Sequence, residues 1–351
     1  MVQLAQDMEP VRWSAADWRR AMTEMPKAHL HLHLGGSCPA SLWKRLGQPR
    51  PPKSTDVVGG GFEVFEQHHR YLRQTVTSQL SIDLLVQEVA AQAHAEGVLW
   101  VELSIDPVGW DERWVAPLRV ASAIAKARRY FKVGFGVVAL HSRTRDADDE
   151  RVLQWAQAMA DLGVPAAVGL AGDELASPMH SFDQRAAAVR RAGLPWVPHS
   201  GELDGQLSEL RRALSHQGVS RIAHGWVAAQ DAATMAQLIQ HQVCLDLAPG
   251  SNLRLGVRRL GDHPIGKLAA AGVPISISGD NPLMVGHDLV TELQLAGRFM
   301  GLGPEGVAWA GLCSIRHSLA PALIARRWEG QWADWARRWG LGRLPLEWRD
   351  W

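Results

Sequence analysis

Short apolar runs alternate with longer amphipathic stretches along most of the chain. Runs of strand type fall at Ala28–His33, Val98–Ser104, Val133–Leu140, Pro165–Leu170, Leu194–His199, Arg221–His224, Val243–Leu247 and Val273–Ser278. Between them, apolar residues recur at helical spacing in Ile82–Glu96, Leu118–Tyr130, Glu150–Leu162, Asp183–Ala192, Gln206–Ser215 and Ala232–His241. Strands alternating with helices imply a parallel sheet. Eight such units in 351 residues predict an α/β fold, a closed (β/α)8 TIM barrel with extra N-terminal, lid and C-terminal helices. No low-complexity linker divides the chain, so one domain is expected over 1–351, with a core at 26–318 and a helical extension at 319–351. The Pro- and Gly-rich stretch Arg50–Phe65, after the first strand, is expected to form a lid over the barrel mouth. Near the end, Trp328, Trp332, Trp335 and Trp339 share one helical face, expected to pack on the barrel rather than on another subunit.

Composition narrows the partners. Lys and Arg number 37 against 36 Asp and Glu, a net charge of +1, which gives no footprint for nucleic acid or for an anionic membrane surface. No apolar run reaches the roughly 18–20 residues of a membrane span. Met1–Arg19 carries Asp7, Glu9 and Asp17 and has no apolar h-region, so no signal peptide is expected there. Cys38, Cys244 and Cys313 form no CxxC, which excludes a disulfide scaffold and a thiolate zinc cluster and fits a reducing cytoplasm. A cytoplasmic protein acting on a small molecule is expected, with nothing in the sequence to mark its oligomeric state.

The chemistry lies where predicted strands end. His29, His31 and His33 alternate along the first strand, and the strand period of two puts all three on one face. His29 lies deepest and reads as a packed or hydrogen-bonded support. The fifth strand ends in Pro198–His199–Ser200–Gly201–Glu202, the sixth in Arg221–Ile222–Ala223–His224–Gly225, the eighth in Ser278–Gly279–Asp280–Asn281–Pro282. In a barrel these ends share the rim where catalysis occurs. Neutral imidazoles plus one carboxylate suit a divalent transition metal and leave it Lewis-acidic enough to ionise water near neutral pH.

With those motifs in order, the chain resembles the adenosine deaminase family of metal-dependent amidohydrolases. The matching elements begin at Pro26–Lys27–Ala28–His29–Leu30–His31–Leu32–His33–Leu34 and Gly97–Val98–Leu99–Trp100–Val101–Glu102. They continue through Leu170–Ala171–Gly172–Asp173–Glu174, the three strand-end motifs above and Pro249–Gly250–Ser251–Asn252. The resemblance implies one zinc ion held by His31, His33, His199 and Asp280. Many hydrolases on related barrels hold two metals bridged by a carboxylated lysine on the fourth strand; with no lysine between Lys132 and Lys267, a single ion is expected. Glu202 would protonate the purine ring nitrogen beside the amino carbon, and His224 would orient the attacking water and stabilise the forming alkoxide. Asp280 would relay the water's proton toward the leaving ammonia. On the substrate side stand His33, Gly35, the Gly172 backbone N–H toward another ring nitrogen, and Asn281 toward the five-membered ring. Asp173 and Glu174 read equally as loop-supporting ion-pair residues and Ser251 and Asn252 as loop-fixing ones, all left outside the site.

Three departures bear on substrate. Adenosine-specific members carry an acidic residue after the HxH-Leu segment, where it meets the ribose 5′-hydroxyl; here the position is Gly35, which leaves volume and backbone N–H for something larger or anionic. Asp280–Asn281 stands for an Asp-Asp pair. Ala248–Pro249–Gly250–Ser251–Asn252 and Cys313 are loop variations. The expected reaction is adenosine to inosine plus ammonia; the alternatives are another aminopurine (adenine, a 5′-modified adenosine or an aminofutalosine-type compound), or a catalytically silent nucleoside-binding relative.

Overall fold

Eight parallel strands, β1 (Lys27–His33), β2 (Val98–Ile105), β3 (Gly134–Ser142), β4 (Ala166–Ala171), β5 (Trp196–Ser200), β6 (Arg221–His224), β7 (Cys244–Leu247) and β8 (Ile275–Ile277), pair in sequence order. Helices between them cover the outer face, as predicted for a TIM barrel. The structure, a computed structural model, describes residues 12–37, 40–47, 71, 73, 76–110, 112–145, 149–255, 257 and 259–341. The expected lid at 50–65 and Cys38 lie outside the described residues. No helix among the described residues is long and apolar enough to cross a membrane.

The barrel closes through site residues. β8 and β1 meet in a parallel bridge between Leu32 and Asp280, where the His33 N–H donates to the Asp280 carbonyl at 2.9 Å and the Asp280 N–H donates to the His31 carbonyl at 3.0 Å. Seam and metal-ligand candidates therefore share one stretch of backbone.

Strict alternation along β1 does not hold. The pairing of β1 with β2 shifts register between His29 and Leu32. Ala28 and Leu30 join an inner cluster with Trp100, while Leu32 and Leu34 join the outer core under the helices. This irregularity brings His31 and His33 inward and leaves His29 on the other side, in contrast to the expectation that all three share a face. There His29 Nε2 accepts from the Gly279 N–H at 2.8 Å, supporting the β8 end.

Inside the barrel a polar network centred on buried Arg221, Glu102 and Asp246 lies below the rim. Arg221 Nη2 binds Glu102 Oε2 at 2.5 Å, its Nε binds Asp246 Oδ2 at 2.9 Å, and its Nη1 donates to the His317 carbonyl at 2.6 Å. Ser276 Oγ donates to Asp246 Oδ1, and Trp100 Nε1 and the Leu319 N–H donate to Glu102 Oε1. One guanidinium thus ties β2, β6, β7 and the 317–319 segment together. Removing it strands two carboxylates in the core. Arg221→Met is therefore expected to cost about 3 kcal/mol, read by urea unfolding; a loss below about 1 kcal/mol, the worth of an exposed pair, would refute this account of the network.

The Trp stripe packs inward, as expected. Trp332 and Trp335, on the helix Ala322–Arg338, are buried and donate their indole N–H groups to the Ala308 and Ala21 carbonyls, both at 3.1 Å. Trp13 meets Trp18, Trp335 and Trp339 edge-on, which joins the N-terminal helix Ala15–Glu24 to the C-terminal one.

Candidate active site

At the C-terminal rim, four side chains from three parts of the barrel converge. His31 and His33 come from β1, His199 from β5, and Asp280 follows β8. His33 Nε2 lies 3.1 Å from His199 Nε2 and 3.4 Å from His31 Nε2, and Asp280 Oδ1 lies 3.3 Å from both β1 imidazoles. Tetrahedral ligands at about 2.0–2.1 Å from a zinc ion stand about 3.3 Å apart. Imidazole lone pairs facing one another at this distance repel unless a cation or proton sits between them. Two buried atoms in the cluster, His199 Nδ1 and Asp280 Oδ2, have no hydrogen-bond partner among the described residues. The donor set, its spacing and its burial fit a divalent metal. Burial opposes ionisation of Asp280, yet the facing imidazoles, His31 first, hold its carboxyl well below the usual range, which favours the carboxylate form that a metal would need.

Backbone strain marks the same places. His224, the last residue of β6, and Asp280 adopt φ of +67° and +55°, in the left-handed region. Such a residue costs on the order of 1–3 kcal/mol, sustained here by the pairing of His224 with Ser200 and of Asp280 with Leu32. The left-handed turn at Asp280 lets its backbone close the seam while its side chain enters the cluster.

Glu202 lies 5% exposed, with Oε1 3.4 Å from His224 Nε2. Burial, together with the charges of Asp280 and Glu174, pushes its carboxyl well above the ordinary range, which favours its protonated form. Its backbone is held by Glu174, whose carboxylate accepts the N–H groups of Gly201 (2.6 Å), Glu202 (2.9 Å) and Leu203 (3.0 Å). Arg143 stands 3.9 Å from that carboxylate and donates to the His199 carbonyl at 3.0 Å. Glu174 thus supports the turn after β5, not merely its own loop. Its motif was visible in the sequence, but the turn it reaches is set by the barrel.

A second hydrogen-bond chain fixes the protonation of His224. The Ile265 N–H donates to His263 Nδ1 at 3.3 Å, so the proton of this neutral ring sits on Nε2. That N–H donates to Asn252 Oδ1 at 3.3 Å, and the Asn252 amide donates in turn to His224 Nδ1 at 3.3 Å. His224 Nδ1 is therefore an acceptor and Nε2 carries the hydrogen facing Glu202. Burial lowers His263 to about 4; burial and the His31 charge lower His224 to about 3, so both rings are neutral at pH 7.

The cluster opens into a cavity of about 300 Å³ lined by His33, Gly35, Gly172, His199, Glu202, His224 and Asp280, among others. Such a volume suits a small organic ligand. Gly172 has φ +111°, and a Cβ there would stand 3.3 Å from the Arg143 nitrogen, so only glycine presents its backbone to the cavity without strain. Gly35, buried, begins a single 3-10 turn, Gly35–Ser37. Asn281 does not line this cavity. It is fully buried and donates Nδ2 to Asp280 Oδ1 at 2.7 Å.

Comparison with known proteins agrees with this arrangement. The family model for adenosine deaminase matches residues 26–328. The chain belongs to the adenosine deaminase family. Members are hydrolases of amidine C–N bonds, and this chain is a deaminase of adenine-type substrates. It is 30% identical over 338 residues to a provisionally named adenosine/adenine deaminase of Streptomyces coelicolor, covering 90% of this chain and 98% of that protein. It is 31% identical over 339 residues to the aminodeoxyfutalosine deaminase of Acidothermus cellulolyticus, covering 89% and 95%. The crystal structure of adenine deaminase from Arthrobacter aurescens shares the fold at TM-score 0.79 and 23% identity, covering 89% of this chain and 99% of that one. Within this family frame, Asn252, Glu174 and Arg143 are the residues that sequence reasoning left out of the site. In Asn252 the signal was its place after β7, one strand along from His224; its partner His263 lies in no motif.

Proposed function

We propose that the protein is a zinc-dependent hydrolytic deaminase of an adenine-containing nucleoside, replacing the 6-amino group by oxygen; adenosine plus water to inosine plus ammonia is the parent reaction. One observation supports it most: a buried Glu202, whose carboxyl is pushed up by its surroundings, faces a neutral His224 whose Nε2–H is set by Asn252, both beside the candidate metal cluster. His31, His33, His199 and Asp280 would hold the zinc ion, which supplies the Lewis acidity that ionises water near neutral pH.

The chain's own residues perform the remaining steps. Glu202 gives its proton to the ring nitrogen beside the amino-bearing carbon, and that carbon becomes electrophilic. The Gly172 backbone N–H orients the ring. As the water oxygen bonds to the carbon, His224 Nε2–H meets the developing negative charge on that oxygen. Asp280 takes the water's proton and passes it to the amino nitrogen. The carbon–nitrogen bond then breaks and ammonia leaves; the ring nitrogen keeps its new proton, as in inosine, and the second proton of the added water restores Glu202.

Ammonia release by zinc-loaded protein tests this with adenosine, adenine, adenosine 5′-monophosphate and other 5′-modified adenosines. Release from at least one is expected at kcat/KM of about 10⁴ M⁻¹s⁻¹ or more. Silence across the whole panel would overturn it in favour of a binding role. The names of the relatives, spanning adenosine, adenine and aminodeoxyfutalosine, support the base rather than the group beyond it.

A further inference from the structure

We propose that the solvent end of the active-site cavity is an anion subsite built on Arg145 and Arg73 around Asp106, and that the substrate carries a phosphate or carboxylate on the side of its sugar remote from the reacting amino group. This rests on the aminopurine reading above and concerns what lies beyond the base.

Exposure sets the orientation. Glu202, His224 and Asp280 at the floor are at most 5% exposed, whereas the side chains of Arg145 and Arg73 in the same lining are 39% and 22% exposed. A substrate with its amino carbon at the metal cluster therefore extends its far end toward the arginines.

Asp106 brackets the two arginines. Asp106, just past β2, accepts the N–H groups of Val108 (3.2 Å) and Gly109 (2.7 Å) on Oδ1. Its other oxygen, Oδ2, takes Arg145 Nη2 and stands 3.8 Å from Arg73 Nη1. Gly109 packs so closely that a Cβ there would lie 2.7 Å from Arg145 Nη1. A guanidinium has five N–H donors, and Asp106 engages Arg145 through one nitrogen. Arg145 also lines the cavity, and its planar fork suits carboxylate and phosphate.

What the lining lacks points the same way. Among the described residues of the lining, the three carboxylates are Asp106, in the arginine bracket; Glu202, whose protonated form burial favours; and Asp280, in the metal cluster. None is left to accept a sugar hydroxyl, and Gly35 has no side chain to do so. Ser142 and Thr144, whose hydroxyls lie 3.1 Å apart, add neutral donors to the lining beside Arg145.

Calorimetric binding to the full, metal-loaded chain tests the subsite without turnover. The ligands are inosine, inosine 5′-monophosphate, and a matched pair of 5′-substituted inosines ending in a carboxylate or in its carboxamide. At least one anionic ligand is expected to bind about ten-fold or more tightly than its neutral counterpart, as a charge-assisted fork implies. That preference is expected to fall to about two-fold or less in Arg145→Gln and to shrink in Arg73→Gln. The phosphate and carboxylate arms identify which anion the site takes. Equal binding of charged and neutral ligands, a preference retained in Arg145→Gln, or no binding by any ligand would each overturn the subsite. Ammonia release measured alongside separates the two readings. Turnover of adenosine without a charge preference leaves the deaminase and removes the subsite; charge-selective binding with no turnover of any aminopurine does the reverse.

Discussion

Glu202→Gln is expected to lower kcat/KM by about 10³- to 10⁴-fold while metal content stays at one ion per chain. General acid catalysis contributes about 10²–10⁴-fold, and here the upper part of that range applies, since without ring protonation the attacked carbon stays aromatic. Glutamine keeps the shape and the contact to His224 but has no proton to give. The pH dependence follows from the same group. Activity needs protonated Glu202, whose carboxyl lies well above the ordinary range, so kcat/KM should fall as pH rises through that raised value. Stability runs the other way in the variant. Between the ordinary Glu range and the raised value, the folded chain binds a proton that the unfolded chain does not, so parent stability falls as pH rises. Glu202→Gln removes that loss and should be the more stable protein above neutrality, with the two converging below about pH 4. Pre-steady-state ammonia release and thermal unfolding at several pH values measure both. A variant retaining a tenth or more of parental kcat/KM, or losing stability at pH 8, would remove Glu202 from the role of acid.

What the chain disclosed in advance follows from locality. Strand positions were legible to within two residues because a buried parallel strand must be apolar on both faces, and each run ends at a polar motif. His199, Glu202, His224 and Asp280 were legible because strand ends, not three-dimensional contacts, place them at the rim. The face of His29 was not legible, because the register break sits in the pairing with β2 and leaves no signature in KAHLHLH. Glu174 and Asn252 were visible as motif residues and given the blander reading. Their partners, the Gly201–Leu203 amides and the ring of His224, belong to other loops that meet only when the barrel closes. Arg73 and Arg145 follow the same logic. Neither lies in a motif, and what unites them is one oxygen of Asp106.

Asn252→Asp is expected to cost about 10³-fold in kcat/KM with little change in fold or metal content. The substitution exchanges one NH2 for an oxygen and alters no volume. His263 keeps its partner, since its Nε2–H can donate to a carboxylate oxygen as readily as to the amide oxygen. His224 does not. An aspartate at 252 only accepts, so the lowest-energy ring places its hydrogen on Nδ1, toward position 252, and turns the Nε2 lone pair toward Glu202 and the cavity. A lone pair there repels the oxyanion that the N–H would have met. Loss of a single preorganised donor costs about 10²–10³-fold, and inverting the tautomer adds repulsion to that loss, as the drop of about 10⁴-fold for a mis-tautomerised histidine in serine proteases illustrates. Nitrogen-15 NMR of histidine-labelled protein should show the His224 proton moving from Nε2 to Nδ1. Asn252→Gln, which keeps the amide donor on a longer arm, should retain more activity than Asn252→Asp although it disturbs packing more. If Asp proves the milder change, or if the tautomer does not move, Asn252 fixes a loop and nothing else. The expected order cannot come from packing, because aspartate and asparagine share one shape and differ in charge and in the direction of one hydrogen bond.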